Sequence, residues 1–489
     1  EERTAFLFEN VTGSNGRKYP TPVALAALAG STQIYAIGMM CPPEELSERM
    51  AQAELHPIEP KLVSQGVCQE EVHQGDTLLE HGGLEEFPIP VTTPGFDAAP
   101  YITAPCWVTK DPESRVPNVG MYRAMIKSPT RTGVTFMSPN QGSFIHWQKC
   151  RERGVPLEAA IVVGAIPSLN YVAVSKLPVG VNEFAVAGGI AGEPVELVKC
   201  KTVDLEVPAT AEIVIEGEIS TREVEPEAPF GEAFGFVGAV AMMPIFTVKC
   251  ITHRQNPIWL ATLSQYPPSE SSKIRQHPNE GTLYKYLRYD LGMSHVLQIG
   301  FFDNLGASRL MVIRVKRTGP DKVWQTLEAA AKRFPLAKVI IAADEDVNIG
   351  DMDSVNLAIC MRTQPHRDYR ILKVAFSTLM DPSVVPQEEM IDVLKLGTKR
   401  ADMAETSVVL INTTMKWPYP PLSLPRKGFM EEAQRLWQEM GLPPLKLKEP
   451  WWGIDLGSWD REKEELAAAA VAGDYYRGGD RYARRRKLI

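Results

Sequence analysis

Between residues 211 and 219 isoleucine and glutamate alternate. Ile213, Ile215 and Ile219 fall on one side of an extended chain and Glu212, Glu216 and Glu218 on the other. A period of two marks a strand with one buried face, and a run of such strands has to close on itself or pair into a sheet. Residues 101–305 continue in this manner. Apolar runs at 161–165, 171–174 and 234–242 are expected as further strands, a helix is predicted over 143–153, and Gly/Pro turns separate the elements. This is the pattern of an antiparallel sheet or barrel.

After Phe301 the period changes. A strand at 310–315 is followed by Gly319-Pro320-Asp321, which opens a helix, and Val323, Trp324, Leu327, Ala330, Ala331 and Phe334 then recur at helical spacing. A strand at 338–342 completes a β–α–β unit, so a parallel sheet is expected here. Residues 22–28 and 43–54 have helical character, 75–84 reads as a loop, and the Pro- and Thr-rich stretch 85–100 reads as a linker. At 489 residues the chain exceeds one ordinary core. The predicted division is 1–100, 101–305 and 306–489, the last ending in a tail of an amphipathic helix, Pro450-Trp451-Trp452 and a charged terminal helix, suited to clasping a neighbouring subunit.

Composition narrows the class. With 44% apolar and 23% charged residues and a mean hydropathy of −0.15, the chain is expected to be soluble. A formal charge of −8 argues against nucleic acid as a partner, because the one strongly basic run, Arg484-Arg485-Arg486-Lys487, is terminal. No apolar run reaches the roughly 18 residues of a membrane span. The first residues, Glu-Glu-Arg-Thr, lack Met and any signal-peptide pattern, so the chain is expected to begin inside a longer one. Seven scattered cysteines without a CxxC fit thiols in a reducing cytoplasm rather than a disulfide frame or zinc ribbon.

Nucleophile elbows, Walker loops, HExxH and GxGxxG are absent. Gly188-Gly189-Ile190-Ala191-Gly192 follows no parallel strand, and Asp344-Glu345-Asp346 is expected as a solvated strand end, a hard-cation site being the less favoured reading. Glu227-Ala228-Pro229-Phe230-Gly231-Glu232 differs. Its two carboxyls are five positions apart, a spacing that matches neither a helix face nor one side of a strand, and Pro and Gly lie between them. A shaped turn of this kind either shows two solvated acids to water or holds them together, one ionised beside a cation and one desolvated. Arg123, in Asn118-Val119-Gly120-Met121-Tyr122-Arg123, supplies a permanent charge for such a pair. Gly180-Val181-Asn182-Glu183 adds oxygen donors suited to a metal bridging a phosphate.

Together these stretches resemble the UbiD family, the decarboxylases that use prenylated FMN. The resemblance runs over nearly the whole chain and includes Phe6-Leu7-Phe8-Glu9-Asn10-Val11, Leu197-Val198-Lys199-Cys200, the 207–217 segment and Pro443-Pro444-Leu445-Lys446-Leu447-Lys448. It implies an α/β multidomain protein with an N-terminal α/β segment, a central split β-barrel (flavin-reductase-like) cofactor domain, and a C-terminal α/β domain with a helical tail. It places Arg123, Glu227 and Glu232 as the catalytic trio, and Asn118, Gly120, Met121, Gln141 and Glu183 around the cofactor. Asn118 and Glu183 would hold a divalent metal (Mn or Mg), with K+ as a further cation. Where the family has a third ligand, histidine, this chain has Ser138-Pro139-Asn140-Gln141-Gly142, and His146 follows in the predicted helix. Gln141, Asn140 or water is expected in its place.

The implied reaction is reversible, non-oxidative decarboxylation of an aromatic or heteroaromatic acid, yielding CO2. Glu232 would return the proton, with its pKa raised by burial. Arg123 would orient the substrate carboxylate and Glu227, and Glu227 would hold Arg123. The alternatives are a carboxylase subunit of a larger complex working in reverse and a non-catalytic scaffold subunit. Arg362, His366 and Phe376 are the expected substrate-pocket residues. The resemblance further implies a cytoplasmic homodimer or homohexamer that depends on a flavin prenyltransferase.

Overall fold

The computed structural model describes residues 4–374, 381–384, 406–445, 457 and 459–487, except for positions 137, 139, 140, 228 and 239. Phe376, Asn140, Trp451 and Trp452 therefore lie outside the described residues.

The alternating segment becomes the long strand Ile213–Glu227, at the centre of the largest sheet. It pairs antiparallel with Ala241–His253 on one side and with Leu157–Val163 on the other. Among the described residues nine strands form this sheet. Outward from Ala241–His253 come Arg131–Gly133, Ala124–Ser128 and Tyr101–Ile102. Outward from Leu157–Val163 come Cys106–Lys110 and Pro117–Met121. Glu71–Gln74 pairs separately with Ala241–His253.

The chain passes from Pro117–Met121, at one edge of the sheet, straight into Ala124–Ser128, next to the other edge, with only Tyr122 and Arg123 between. Two residues span a few ångströms, so the edges must approach each other and the sheet must curl into a half-barrel. Arg123 stands on that closing link. Ile161, Val162, Val163, Ile213, Val214 and Ile215 are fully buried within it, each worth about 1.5–3 kcal/mol of apolar transfer.

The first hundred residues are woven into the same core. Val23–Leu25 pairs parallel with Trp259–Leu260, and Lys61–Leu62 pairs parallel with Glu196–Lys199. One apolar cluster runs from Val23 through Trp107 and Trp147 to Ile274. Of residues 22–28, expected as helical, Val23–Leu25 are thus strand and 26–28 a bend and turn, because pairing with Trp259–Leu260 outweighs alanine's helix preference. Within the expected loop at 75–84, Asp76–Glu80 forms a short helix. The expected linker is a brace: Asp97 accepts from the Thr92 and Thr93 amides at 2.9 and 2.7 Å and from the Gly231 amide at 3.2 Å.

Two further expectations in the central region are corrected. Of residues 171–174, 171–173 belong to the helix Pro167–Ala173, whose Pro167 takes the first helical position, and Val174 caps it. Because that helix is buried on all sides, its sequence lacks amphipathic spacing and mimics a buried strand. Of the described residues in 234–242, Ala241 and Met242 are strand, 234–236 form a turn and Val237 makes an isolated bridge to Gly231.

The C-terminal sheet runs Val296–Phe301, Leu310–Val315, Val339–Asp344, Thr406–Asn412, Tyr369–Val374. Its three central strands are parallel, but both edge strands are antiparallel, so the sheet is mixed. Helix Pro320–Arg333 buries the predicted stripe on one face, where Met311, Ile313 and Val315 point, while Val312 points into a second cluster with Ile341 and Val355. Asp344, expected in solvent, is 1% exposed: its carboxylate accepts from the Met415 amide at 2.7 Å and lies 3.6 Å from Arg362. Helices Lys427–Glu439, Arg461–Val471 and Arg477–Ala483 form the tail. Among the described residues no helix is long and apolar enough to cross a membrane, and all seven cysteines are free thiols.

Candidate active site

Glu227 ends the long strand with its side chain fully buried. The chain then leaves the sheet, and Phe230 to Gly238 turn back on themselves. The Gly238 amide bonds to the Phe230 carbonyl at 2.8 Å and the Glu232 amide to the Phe236 carbonyl at 2.9 Å. Ser264 Oγ donates to the Gly231 carbonyl at 2.7 Å and Tyr101 hydroxyl to that of Pro229 at 3.3 Å. The two glutamates thus reach one place by different routes, one on a strand end and one in a braced turn.

Between them stands Arg123. Its guanidinium is ion-paired with Glu232, with side chains only 9% and 10% exposed, and lies 4.9 Å from the centre of the Phe230 ring. Burial lowers the Arg123 pKa, and the neighbouring Glu227 charge opposes that shift. The expectation that Arg123 pairs with Glu227 needs correcting. Glu227 Oε1 instead accepts from Thr135 Oγ1 at 3.1 Å and from the Met125 amide at 3.2 Å. Burial raises its pKa against the opposing pull of Arg123.

Arg123 and Glu232 open into a cavity of about 690 Å³, the size class of a cofactor pocket. Asn118, Gly120, Met121, Gln141 and Glu183 line it too. Asn118 donates to Ser143 Oγ at 3.1 Å, and its carbonyl oxygen lies over Gly142, where an added Cβ would come within 1.7 Å. Only glycine permits that approach. Glu183 begins the helix Glu183–Ala191 and accepts from the Val119 amide at 3.0 Å. Burial pushes it up to about 8, against the opposing pull of the Val119 amide. Gln141 precedes the helix Gly142–Glu152 and accepts from the Ser138 amide at 3.1 Å.

His146 does not line this cavity. It sits on the buried face of that helix, 2.9 Å from Thr109 Oγ1, and burial pushes it down to about 4. Arg362 makes a two-pronged pair with Asp346 at 2.9 and 2.6 Å, and neither it nor exposed His366 lines the cavity.

Sequence reading missed Lys176, Arg275 and Arg333, which share the cavity wall. They lie far apart in the chain and form no motif. With Arg123 and Lys285 they set five cations against the carboxyls of Glu54, Glu183, Glu232 and Asp290, and burial raises the pKa of Glu54 as well as Glu183. The balance suits an anionic ligand. The Asn118, Gln141 and Glu183 donors are oxygens, the set a hard divalent ion prefers.

Residues 61–267 match the domain described as the 3-octaprenyl-4-hydroxybenzoate carboxy-lyase Rift-related domain, and 274–400 match the C-terminal domain of the same carboxy-lyases. An uncharacterized protein of Synechocystis sp. is 32% identical over 471 residues, covering 91% of this chain and 89% of the relative. The UbiD-class enzyme HmfF from Pelotomaculum thermopropionicum, solved in complex with prFMN, superimposes with a TM-score of 0.74 at 28% identity, over 88% of this chain and 90% of that one. The vanillic acid decarboxylase of Sedimentibacter hydroxybenzoicus in closed form gives 0.72 at 25% identity, over 89% and 90%. The chain belongs to the UbiD family, and it is a carboxy-lyase.

Proposed function

We propose that this enzyme catalyses reversible, non-oxidative decarboxylation of an aromatic or heteroaromatic carboxylic acid with prenylated FMN in the 690 Å³ cavity. The observation that carries this reading is the buried Arg123–Glu232 ion pair opening on that cavity, with Glu227 behind it. The half-barrel is then a split β-barrel of the flavin-reductase type, within the division 1–100, 101–305 and 306–489. HmfF and the decarboxylase above lend support as relatives.

The bound flavin would supply an electron sink for the pair left when CO2 departs. The chain's own residues do the rest. Asn118, Glu183 and Gln141 would hold a Mg2+ or Mn2+ ion against its phosphate, with Lys176, Arg275 and Arg333 adding charge, and Gly120 and Met121 would pack alongside. Arg123 orients the substrate carboxylate by its planar fork of donors. In doing so it must release Glu232, which becomes free to carry a proton. Glu232 then returns that proton to the ring carbon that has lost CO2, a step worth roughly 10²–10⁴-fold. Glu227 keeps Arg123 charged in its buried seat. The same groups serve carboxylation in reverse. The remaining parts of the reading are a cytoplasmic homodimer or homohexamer, and a flavin prenyltransferase as the source of the cofactor.

Co-expression with a flavin prenyltransferase tests this directly. Mass spectrometry should find about one prenylated flavin per chain, and CO2 should be released from at least one member of a panel of aromatic acids. Glu232→Gln should keep the flavin and lose turnover. A folded protein that never retains flavin, or a Glu232→Gln variant with full activity, sinks the proposal.

A further inference from the structure

On the flank of the half-barrel, away from the cavity, three side chains converge for which decarboxylation has no use. His73 comes from strand Glu71–Gln74 and His253 from the end of Ala241–His253. These strands pair antiparallel, His73 opposite Ile251 and His253 opposite Glu71, which puts the two imidazoles diagonally on one face. Their ring centres are 5.1 Å apart, nearly perpendicular. Glu86 closes the set from the short turn Gly83–Glu86. Its Oε2 lies 3.0 Å from His73 Nδ1 and its Oε1 3.7 Å from His253 Nε2. One donor atom from each residue lies within 4.8 Å of the others.

The tautomer of His253 is set by its surroundings. Its Nδ1 is 2.6 Å from the Arg254 carbonyl, which can only accept, so Nδ1 carries a hydrogen and Nε2 is the ring nitrogen that faces Glu86. That Nε2 is buried without a hydrogen-bond partner in a residue only 6% exposed. A ring nitrogen anchored to a backbone carbonyl, with the opposite nitrogen left bare, is the arrangement found at imidazole metal ligands. Tetrahedral zinc with bonds of about 2.0–2.1 Å sets its donors about 3.3 Å apart, and one donor from each of the three side chains already lies within 4.8 Å of the others, so side-chain rotation alone closes the set around an ion. Two imidazoles and one carboxylate favour Zn2+ over Mg2+ or Ca2+, which take oxygen shells.

We propose that His73, Glu86 and His253 form a zinc site, distinct from the catalytic cavity, with water in the fourth position. The ion ties the edge strand and the 83–86 turn to the barrel. His81 stacks on His73 at 3.8 Å between ring centres.

The test is titration of chelator-stripped full-length protein with ZnCl2 in excess MgCl2, which keeps the oxygen-rich cavity site occupied. One Zn2+ per chain should bind and raise the thermal midpoint. His253→Gln and Glu86→Gln should each weaken binding beyond the roughly 10–100-fold that loss of a ligand's supporting partner costs. Wild-type protein loaded with Co2+ should show the strong visible bands of a four- or five-coordinate site, which keeps the test decisive if a variant fails to fold. No saturable Zn2+ binding, wild-type affinity in both variants, or only the pale spectrum of octahedral Co2+ would overturn the proposal.

Discussion

Replacing Gly133 by alanine puts a methyl carbon where the Glu227 carboxylate already lies. An ideal Cβ there is 1.8 Å from Oε2 and 2.7 Å from Cδ, whereas unstrained contacts need about 3.5–4.0 Å. The carboxylate must therefore withdraw by roughly 1.5–2 Å. Such a shift breaks both of its hydrogen bonds, at 3.1 Å to Thr135 and 3.2 Å to the Met125 amide. Bonds to a charged acceptor are worth about 1.5–3 kcal/mol each. Burial raises the Glu227 pKa, which weakens the charge and points to the lower end, about 3 kcal/mol in all. Urea denaturation followed by tryptophan fluorescence reads that loss. Displacing a positioning group by more than 1 Å should also lower kcat about 100-fold. The decisive comparison is a double-mutant cycle. Once Glu227→Ala has removed the obstacle, adding Gly133→Ala should cost almost nothing. Additive losses, or a Gly133→Ala protein with wild-type stability and kcat, would refute this account of how Glu227 is held.

Three more outcomes follow from groups described above. His146 is held neutral by burial, about 4 against an ordinary 6.5. The folded state binds this proton less tightly than the unfolded chain, so the contribution is whole above 6.5 and is lost as pH falls through about 4, on the order of 3 kcal/mol. His146→Gln should flatten the acid limb of a stability–pH curve, and an unchanged limb would exclude the histidine as its source. Glu183 behaves oppositely. With its folded pKa raised to about 8, its contribution is whole below the unfolded value and is lost as pH rises towards 8. In chelator, Glu183→Gln should abolish that decline, and with Mg2+ or Mn2+ present it should lose metal-dependent flavin retention. Flavin retained equally with and without metal in both proteins would count against the ligand assignment. Arg362→Met breaks the two-pronged pair with Asp346 and takes the nearest cation from buried Asp344, and breaking a buried pair typically costs about 3–5 kcal/mol. Urea titration should show this while flavin content stays constant, and a neutral effect would mean the pair contributes little.

Much of the site was legible because the chemistry is concentrated in short runs. Arg123, Asn118, Gly120 and Met121 share one hexapeptide, Glu227 and Glu232 another, and glycine and proline mark where the chain bends. The choice of partner was not legible. Arg123 meets Glu232 because the closing link of the half-barrel faces the 230–238 turn, a relation between segments a hundred residues apart. Lys176, Arg275 and Arg333 escaped notice for the same reason. In the fold, helix Pro320–Arg333 could be read from its stripe because only one face is buried. Helix Pro167–Ala173 could not, because Leu169, Tyr171 and Val172 are buried all round and the periodic signal vanishes. The brace formed by residues 92–97 also looked like a linker, since its hydrogen bonds run through Asp97 rather than through a repeating pattern.

The long strand carries a last consequence. Ile219 faces Phe246 and Val224 faces Pro244, so five steps along one strand are matched by two along its partner. The surplus, around exposed Arg222 and Glu223, works as an expansion joint. Beyond it the register is set afresh, ending with Glu227 opposite Ala241. The location of the carboxyl is therefore specified locally, by its neighbour across the sheet, and not by the residue count back to the barrel's centre. Length changes confined to the joint are absorbed there. A single residue gained or lost between Val224 and Glu227 would turn the carboxyl to the opposite face of the sheet.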